Sequence, residues 1–310
     1  MNVVALLITA FTIVELNCEN LFDCQHDTLK NDYEYLPTSD KRWTPDKYWH
    51  KLNRTAQEIM SCSRDVKLPD IVVLCEVEND SVMRDLSRRS ALRHAGYAYV
   101  MTQSEDARGI DVAMMYQPQS FRLLTHYSLR PSPLEGHAPT RDILYASGVT
   151  RRGDTLHVFG LHLPSRIGAG QNMLFRHHVS AVLRHSIDSI LSISTMAKII
   201  VAGDCNDFAG SDVLKEICGA ELVNISEQAV GGNGAEGTYR YKGEWHSLDH
   251  IMASEVLARN VKDCHVNDAP FLMEKETKYG GVKPKRTYNG YKYNNGYSDH
   301  LPLVAEIEGL

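Results

Sequence analysis

The chain has 310 residues, of which 43% are hydrophobic and 23% are charged, as in a globular protein with a large core. Its net charge of −6 excludes a global basic field that would collect nucleic acid from a distance, so a polyanion would need a local basic patch. The seven cysteines form no CxxC pair, which disfavours a zinc site built from thiolates.

The N-terminal stretch 1–14 carries no charged side chain and ends in the first predicted strand, FTIVELN (11–17). It is too short to span a membrane, and it matches poorly the basic region and the small cleavage-site residues of a secretory signal. We interpret it as an early strand. The remnant of a signal at 1–10 is the alternative, so a cytoplasmic and an exported location both stay open. Asn17 and Glu19 would share one face at the end of this strand, unless Asn17 only forms an Asx turn.

A helix and a second strand come next. Thr44-Pro45 is typical of a helix start, and Tyr48 begins an apolar helical spacing. The apolar run DIVVLCEV (70–77) predicts a buried strand that carries Glu76 near its end. A buried carboxylate must be solvated, paired or bound to a metal. Glu78 has the same strand parity and is the alternative ligand. A helix capped by Asp80 is predicted to end near Gly96.

The middle of the chain contributes two predicted strands, IDVAMMY (110–116) and TLHVFGLHL (155–163), and an amphipathic helix over 172–193. His162 lies at a strand end and could donate a proton or bind a phosphoryl oxygen, or be a plain strand-end histidine. Arginines are suited to phosphate because the guanidinium fork matches its oxygens. The candidates are Arg108, Arg141, Arg166 and Arg176.

The segment KIIVAGD (198–204) predicts a strand, and candidate catalytic residues lie at its end and just after it. If the strand stays extended, Asp204 and Asn206 point to one face, about 7 Å apart. Such a pair can hold a water and the oxygen beside the atom it attacks. The same residues are also good turn formers.

The last two predicted strands are SLDHIMA (247–253) and LPLVAEI (301–307), and acid–histidine pairs lie in or just before them. Asp249 could orient an imidazole, and Asp299 and His300 directly precede the final strand. His250 has the opposite parity to Asp249, so we expect it to be a core or surface histidine.

If Glu76, Asp204 and Asp299 converge, they could not all stay ionised without a cation. Oxygen ligands without thiolates favour Mg²⁺, with Mn²⁺ as a substitute. The sequence shows no repeat and no Pro/Gly/Ser linker, and the candidate residues run from 17 to 300. We therefore expect a single domain over 1–310 in which strand–helix alternation builds stacked sheets with helices outside.

Six segments in this order, NCEN, LCEVEN, GLHLPSR, GDCND, SLDHI and YSDHLP, resemble the motifs of the endonuclease/exonuclease/phosphatase superfamily. The superfamily includes deoxyribonuclease I-like nucleases. The resemblance spans essentially the whole chain. It implies an α/β four-layer sandwich, in which two central mixed β-sheets pack face to face with helices outside, and hydrolysis of a phosphoester by in-line attack of water.

The resemblance also implies roles for individual residues. Asn17 and Glu76 would hold the metal with Asp299 near it, and Asp204 would align and deprotonate the water. Asn206 would bind the phosphoryl group, Asp249 and His300 would form a dyad that stabilises the transition state, and His162 matches a second catalytic histidine. The role of Glu19 is left open, because relatives vary at that position.

The segment 277–298 carries five basic residues, five tyrosines and no acid, and it leads into Asp299. It could bind phosphates and stack on bases or sugars, or simply pack on the scaffold. The sequence thus predicts a Mg²⁺-dependent phosphodiesterase or nuclease whose partner is a phosphoester, with nucleic acid as one option. The alternatives are a phosphomonoesterase acting on a sugar or lipid headgroup and a non-catalytic binding module. The oligomeric state is left open.

Overall fold

A computed structural model describes residues 10–63, 67–166 and 170–310, and in these ranges the strands build two six-stranded mixed sheets. The first sheet has the spatial order β13 (Val261–Val266), β18 (Leu303–Ile307), β1 (Phe11–Leu21), β2 (Ile71–Val77), β4 (Asp111–Tyr116) and β3 (Ala98–Met101). The second has the order β5 (Phe121–Leu129), β6 (Ile143–Thr150), β7 (Thr155–His162), β8 (Lys198–Asp204), β12 (Asp249–Ser254) and β9 (Leu222–Asn224).

The two sheets pack face to face through a shared apolar core. Ile13 and Val73 from the first sheet belong to the same buried cluster as Val158 and Ile200 from the second. The continuous apolar runs of the sequence arise because helices cover the opposite face of each sheet as well.

Helices form the two outer layers. α1 (Pro45–Ser61) and α2 (Asp80–Arg88) pack on the first sheet, and α3 (Gly170–Ile193) and α4 (Asp212–Cys218) pack on the second. A short helix, α5 (Glu255–Ala258), follows β12. The predicted four-layer α/β sandwich is therefore confirmed.

Three small hairpins lie outside the sheets: β10 (Tyr239–Tyr241) with β11 (Glu244–His246), β14 (Met273–Lys275) with β15 (Val282–Pro284), and β16 (Tyr288–Asn289) with β17 (Lys292–Tyr293). The last two hairpins contain or flank the basic, tyrosine-rich segment 277–298. In the described ranges, no helix is both long enough and apolar enough to cross a membrane.

The seven predicted strands are all present, and the boundaries of the second predicted helix need correction. Asn79, not Asp80, caps α2, because its Oδ1 accepts the Val82 amide hydrogen at 3.0 Å. The helix ends at Arg88 rather than near Gly96. Residues 1–9 of the N-terminal stretch lie outside the described residues, whereas 11–14 are part of β1.

Each sheet contains one parallel pair at its centre, β1 with β2 and β7 with β8. Parallel strands end at the same edge, so the residues at the ends of β1 and β2 lie together, and His162 is directly opposite Asp204. Asp249 begins β12 on the other side of Asp204. This topology brings distant segments of the chain to one edge of the sandwich.

Candidate active site

A cavity of about 480 Å³ opens where these strand ends meet, and we call it the Asp204 cavity. Most of the residues singled out from the sequence line it. They are Asn17, Glu76, Arg108, Arg141, His162, Arg166, Asp204, Asn206, Asp299 and His300.

Asp204 lies at the centre of a buried hydrogen-bond network. Its Oδ2 accepts from Asn17 Nδ2 at 3.0 Å, its Oδ1 accepts from the Asn206 amide at 2.7 Å, and His162 Nε2 lies 3.6 Å from Oδ2. Burial, together with the charge of Asp249, raises the pKa of Asp204 to about 7. A carboxylate with such a pKa can accept a proton from water near neutral pH.

Asn206 lines the cavity, but it does so from a turn and not from an extended strand. β8 ends at Asp204, and Asn206 has a left-handed backbone with φ of 49°. Its side chain donates to the Leu163 carbonyl at 3.1 Å and approaches Asp204 Oδ2 at 3.4 Å. The turn was the alternative interpretation of this segment, and it still places Asp204 and Asn206 side by side.

Asp249 and His300 form a buried pair. His300 Nδ1 lies 2.7 Å from Asp249 Oδ2, and the Thr238 hydroxyl donates to the same oxygen. Burial alone would lower the pKa of His300, but the charge of Asp249 and its hydrogen bond outweigh this and raise it well above the usual range. The pair therefore favours the protonated form of His300.

His300 forms a close group with two acids, Asp204 from β8 and Asp249 from β12. Ligand atoms of Asp204, Asp249 and His300 all lie within 4.8 Å of one another. Much of the hydrogen-bonding capacity of these three residues is already used. Asp249 and His300 are hydrogen-bonded to each other, and Asp204 accepts hydrogen bonds from Asn17 and Asn206.

Glu15 is a buried acid that the sequence analysis missed. It is fully buried in β1, and burial followed by the charges of Asp249 and Asp204 raises its pKa well above the usual value. The residue was hidden within the apolar run FTIVELN. Its strand parity is the same as that of Asn17, which was the available signal that it faces the other sheet.

Glu76 is directed into the cavity by a bulge in β2. Its φ is 62°, a left-handed conformation that costs a non-glycine residue roughly 1 kcal/mol or more. Its Oε2 accepts from the Asn20 amide at 2.9 Å, and Arg108 Nη2 lies 3.3 Å from Oε1. Glu78 instead accepts from the Asp23 amide at 2.6 Å and does not line the cavity.

Asp299 is held by an arginine from the basic segment 277–298. Arg286 Nη2 donates to Asp299 Oδ2 at 2.8 Å, and its Nε donates to Glu19 Oε1 at 3.2 Å. Glu19 Oε2 also accepts from the Thr287 amide at 2.6 Å. Burial and the charge of Asp299 raise the pKa of Glu19, although Arg286 opposes them.

His162 is buried beside these groups. Burial, helped by the positive charges of Arg141 and Arg108, lowers the pKa of His162 well below its usual value. Within the described residues, its Nδ1 has no hydrogen-bond partner. A neutral imidazole of this kind can donate one hydrogen bond to an oxygen in the cavity.

Arg176 is the exception among the four candidate arginines. It is buried, and its guanidinium donates to the Pro164 carbonyl, to the Cys205 carbonyl at 3.0 Å and to Asp207 Oδ2 at 2.6 Å. It therefore holds the segment after β8 in place and does not line the cavity, which corrects its assignment as a phosphate ligand. His250 is also away from the cavity, bonded to the Asp207 carbonyl at 2.9 Å.

The structure adds a wall that the sequence analysis did not identify. Tyr239, Tyr241 and His246 from the β10–β11 hairpin line the cavity, and the Tyr239 ring lies 4.9 Å from that of His300. Arg166 also lines the cavity, and its guanidinium lies 4.2 Å from the centre of the Phe208 ring. The run of aromatic residues directly before SLDH was the available signal.

A sequence model of the Endonuclease/Exonuclease/phosphatase family matches residues 12–309. No curated protein sequence matches the chain. Among solved structures, the chain resembles a mannosyl-6-phosphatase from Bacteroides thetaiotaomicron, with a TM-score of 0.65 and 15% identity over 97% of this chain and 100% of that one.

Two animal proteins have similar structures. The human Nocturnin catalytic domain, solved with a bound sulfate anion, has a TM-score of 0.58 and 18% identity over 96% of this chain and 93% of that one. Truncated TDP2 from Caenorhabditis elegans has a TM-score of 0.59 and 14% identity over 96% and 97% of the two chains. At these identities the likeness concerns the fold.

Proposed function

Because the chain belongs to the endonuclease/exonuclease/phosphatase family, we propose that it hydrolyses a phosphodiester with the help of a divalent cation. The observation that carries the proposal is the arrangement around Asp204. A carboxylate with a pKa of about 7 lies between a neutral histidine and an Asp–His pair, in a cavity lined by arginines.

The oxygen donors on one side of the Asp204 cavity fit a hard cation. Asn17, Glu76 and Asp299 offer an amide and two carboxylates, and no thiolate accompanies them in the cavity lining. In the structure, the two carboxylates are paired with Arg108 and Arg286. We assign these three residues as the ligands of Mg²⁺, for which Mn²⁺ is a substitute. The bound ion would polarise a phosphoryl oxygen as a Lewis acid.

The residues of the chain have separate tasks in this proposal. Asp204 orients the attacking water and takes its proton, and the Asn17 amide keeps Asp204 in position. The imidazolium of His300, held by Asp249, stabilises negative charge that develops on the phosphoryl oxygens. His162 and the Asn206 amide supply further donors to the same group.

The substrate is proposed to be a phosphodiester, as in a nuclease or phosphodiesterase. Arg108, Arg141 and Arg166 line the cavity and are the candidate ligands of its phosphoryl oxygens, with Arg108 paired to Glu76 and Arg141 to Asp106. The adjacent aromatic wall could contact a base or sugar. A phosphomonoesterase is the second candidate, since one similar structure is a mannosyl-6-phosphatase.

The first experiment tests Asp204 directly. We expect Asp204→Asn to keep the fold and to lower hydrolysis of a phosphodiester by about 10³-fold, because the variant cannot accept the proton of water. Asp212→Asn is the matched control, since that side chain is 89% exposed at the start of α4. Equal activity of Asp204→Asn and wild type would reject the proposed mechanism.

The second experiment tests the cation and the substrate class together. Single- and double-stranded DNA, RNA, phospholipids, inositol phosphates and sugar phosphates are incubated with Mg²⁺, with Mn²⁺ and with a chelator. We expect hydrolysis of a diester with either cation and none with the chelator. Hydrolysis of monoesters alone would favour the phosphatase, whereas no hydrolysis and no cation binding would indicate a binding module.

A further inference from the structure

A second cavity, of about 310 Å³, lies beside the Asp204 cavity, and we call it the Lys41 cavity. It is lined by Asn20, Tyr35, Lys41, Arg286 and Tyr288, among others. Asn20 lines both cavities, and Arg286 in the wall of the second is bonded to Asp299 in the wall of the first. A molecule bound at Asp204 could therefore extend past Asn20 into the second space.

We propose that the Lys41 cavity binds a second phosphate group of the substrate. The inference rests on the proposed function and narrows its substrate class to molecules with a phosphate next to the scissile one. The neighbouring phosphate can be an internal phosphodiester of a polynucleotide or a terminal phosphate group.

The charges of the cavity favour an anion. Arg286 uses its Nε and Nη2 for Glu19 and Asp299, and within the described residues its Nη1 has no hydrogen-bond partner. The acid Glu19 is already satisfied by Arg286 and by the Thr287 amide. Two cations, Lys41 and Arg286, thus line the cavity together with one carboxylate, Glu19. The other acids paired with these cations, Glu34 and Asp299, do not line it.

The partner of Lys41 can be replaced by a ligand. Lys41 Nζ lies 2.7 Å from Glu34 Oε2, but the Glu34 side chain is 67% exposed whereas that of Lys41 is only 17% exposed. Ion pairs to such an exposed carboxylate contribute little. A phosphate in the cavity would offer Lys41 more negative charge in a less solvated place.

Aromatic side chains hold Lys41 in a fixed position. Its Nζ lies 4.5 Å from the centre of the Tyr35 ring and 3.2 Å from the Tyr35 hydroxyl. Tyr35 itself is stacked on Phe22 at 4.2 Å, and the Tyr288 hydroxyl donates to the Lys41 carbonyl at 3.0 Å. Because the ammonium is already placed, little side-chain entropy is lost when an anion binds. It also covers the Tyr35 ring, so this cavity suits a phosphate better than a stacked base.

The test measures binding and needs no turnover. Isothermal titration calorimetry compares a nucleoside bisphosphate with the two matching monophosphates, in the Asp204→Asn background with Mg²⁺. We expect the bisphosphate to bind at least about tenfold more tightly than either monophosphate, as one charge-assisted hydrogen bond provides. Lys41→Met should abolish this preference, because it removes the ammonium group and keeps an unbranched side chain.

Lys292→Met is the matched control. Lys292 is an exposed residue of β17 in the same basic segment, and it does not line the cavity. We expect it to keep the wild-type preference. Equal binding of bisphosphate and monophosphates by the parent protein would overturn the inference, as would a full preference in Lys41→Met. Neither result depends on hydrolysis, so failure here differs from failure of the proposed function.

Discussion

The buried carboxyl group of Glu58 should make the free energy of unfolding depend on pH. It lies in α1 with 1% of its surface exposed, and within the described residues neither carboxyl oxygen has a hydrogen-bond partner. Burial raises the pKa of Glu58 from 4.5 to about 8, although the charge of Lys51 opposes the shift. The folded protein therefore keeps this group protonated at pH 7, whereas the unfolded chain ionises it.

The sign and size of the effect follow from linkage. Because the folded state binds the extra proton, stability falls as the pH rises from 4.5 to 8 and then levels off. Between about pH 5 and pH 8 the loss from this one group is on the order of 3 kcal/mol. Glu58→Gln has nearly the same shape and no proton to lose, so its free energy of unfolding should lack this component.

The assay is urea unfolding of the wild type and Glu58→Gln at pH 5 and pH 8, with Glu135→Gln as an exposed control. We expect the free energy of unfolding of Glu58→Gln to rise relative to that of the wild type by on the order of 3 kcal/mol between the two pH values. The control should show almost no growth. If Glu58→Gln and the wild type lose stability in parallel, the group is not protonated in the folded state and the reasoning fails.

Three further predictions concern the site. The rate of hydrolysis should rise with pH through about 7, because Asp204 must be ionised to accept a proton. It should fall at higher pH, where His300 loses its proton. A rate that does not change with pH would exclude both roles. Asn17→Asp should move the rising limb to higher pH, because it replaces a donor to Asp204 with a second carboxylate. Gly203→Ala should unfold at distinctly lower urea concentration, since its Cβ would lie 1.8 Å from the Leu161 carbonyl oxygen. Unchanged unfolding would contradict the pairing of β7 with β8 at this position.

The sequence by itself determined the layers of the fold and most of the candidate site. Apolar runs such as DIVVLCEV and KIIVAGD are strands because helices and a second sheet bury both of their faces. The six ordered motifs indicated the family, and the family sequence model confirms it over residues 12–309. The motif residues Asn17, Glu76 and Asp204 reach one cavity because their strands end at one edge of the sandwich.

Several strands were missed because their patterns are weak. β5 is mostly exposed along FRLLTHYSL, so it shows no apolar run, and the hairpin strands have only two or three residues each. α4 is a single short helix of seven residues. Such elements are decided by the neighbours they pair with and not by local periodicity.

Only the tertiary structure decided what each polar residue contacts. Arg166 and Arg176 follow the same strand, β7, yet Arg166 lines the cavity whereas Arg176, in α3, is buried against Asp207. Glu15 lies within an apolar strand and attracted no interpretation from the sequence, because its burial depends on a second sheet contributed by residues more than a hundred positions away. The pKa of Asp204, near 7, likewise arises from its burial and from the charge of Asp249. The residues next to Asp204 in the sequence indicate neither of these two causes.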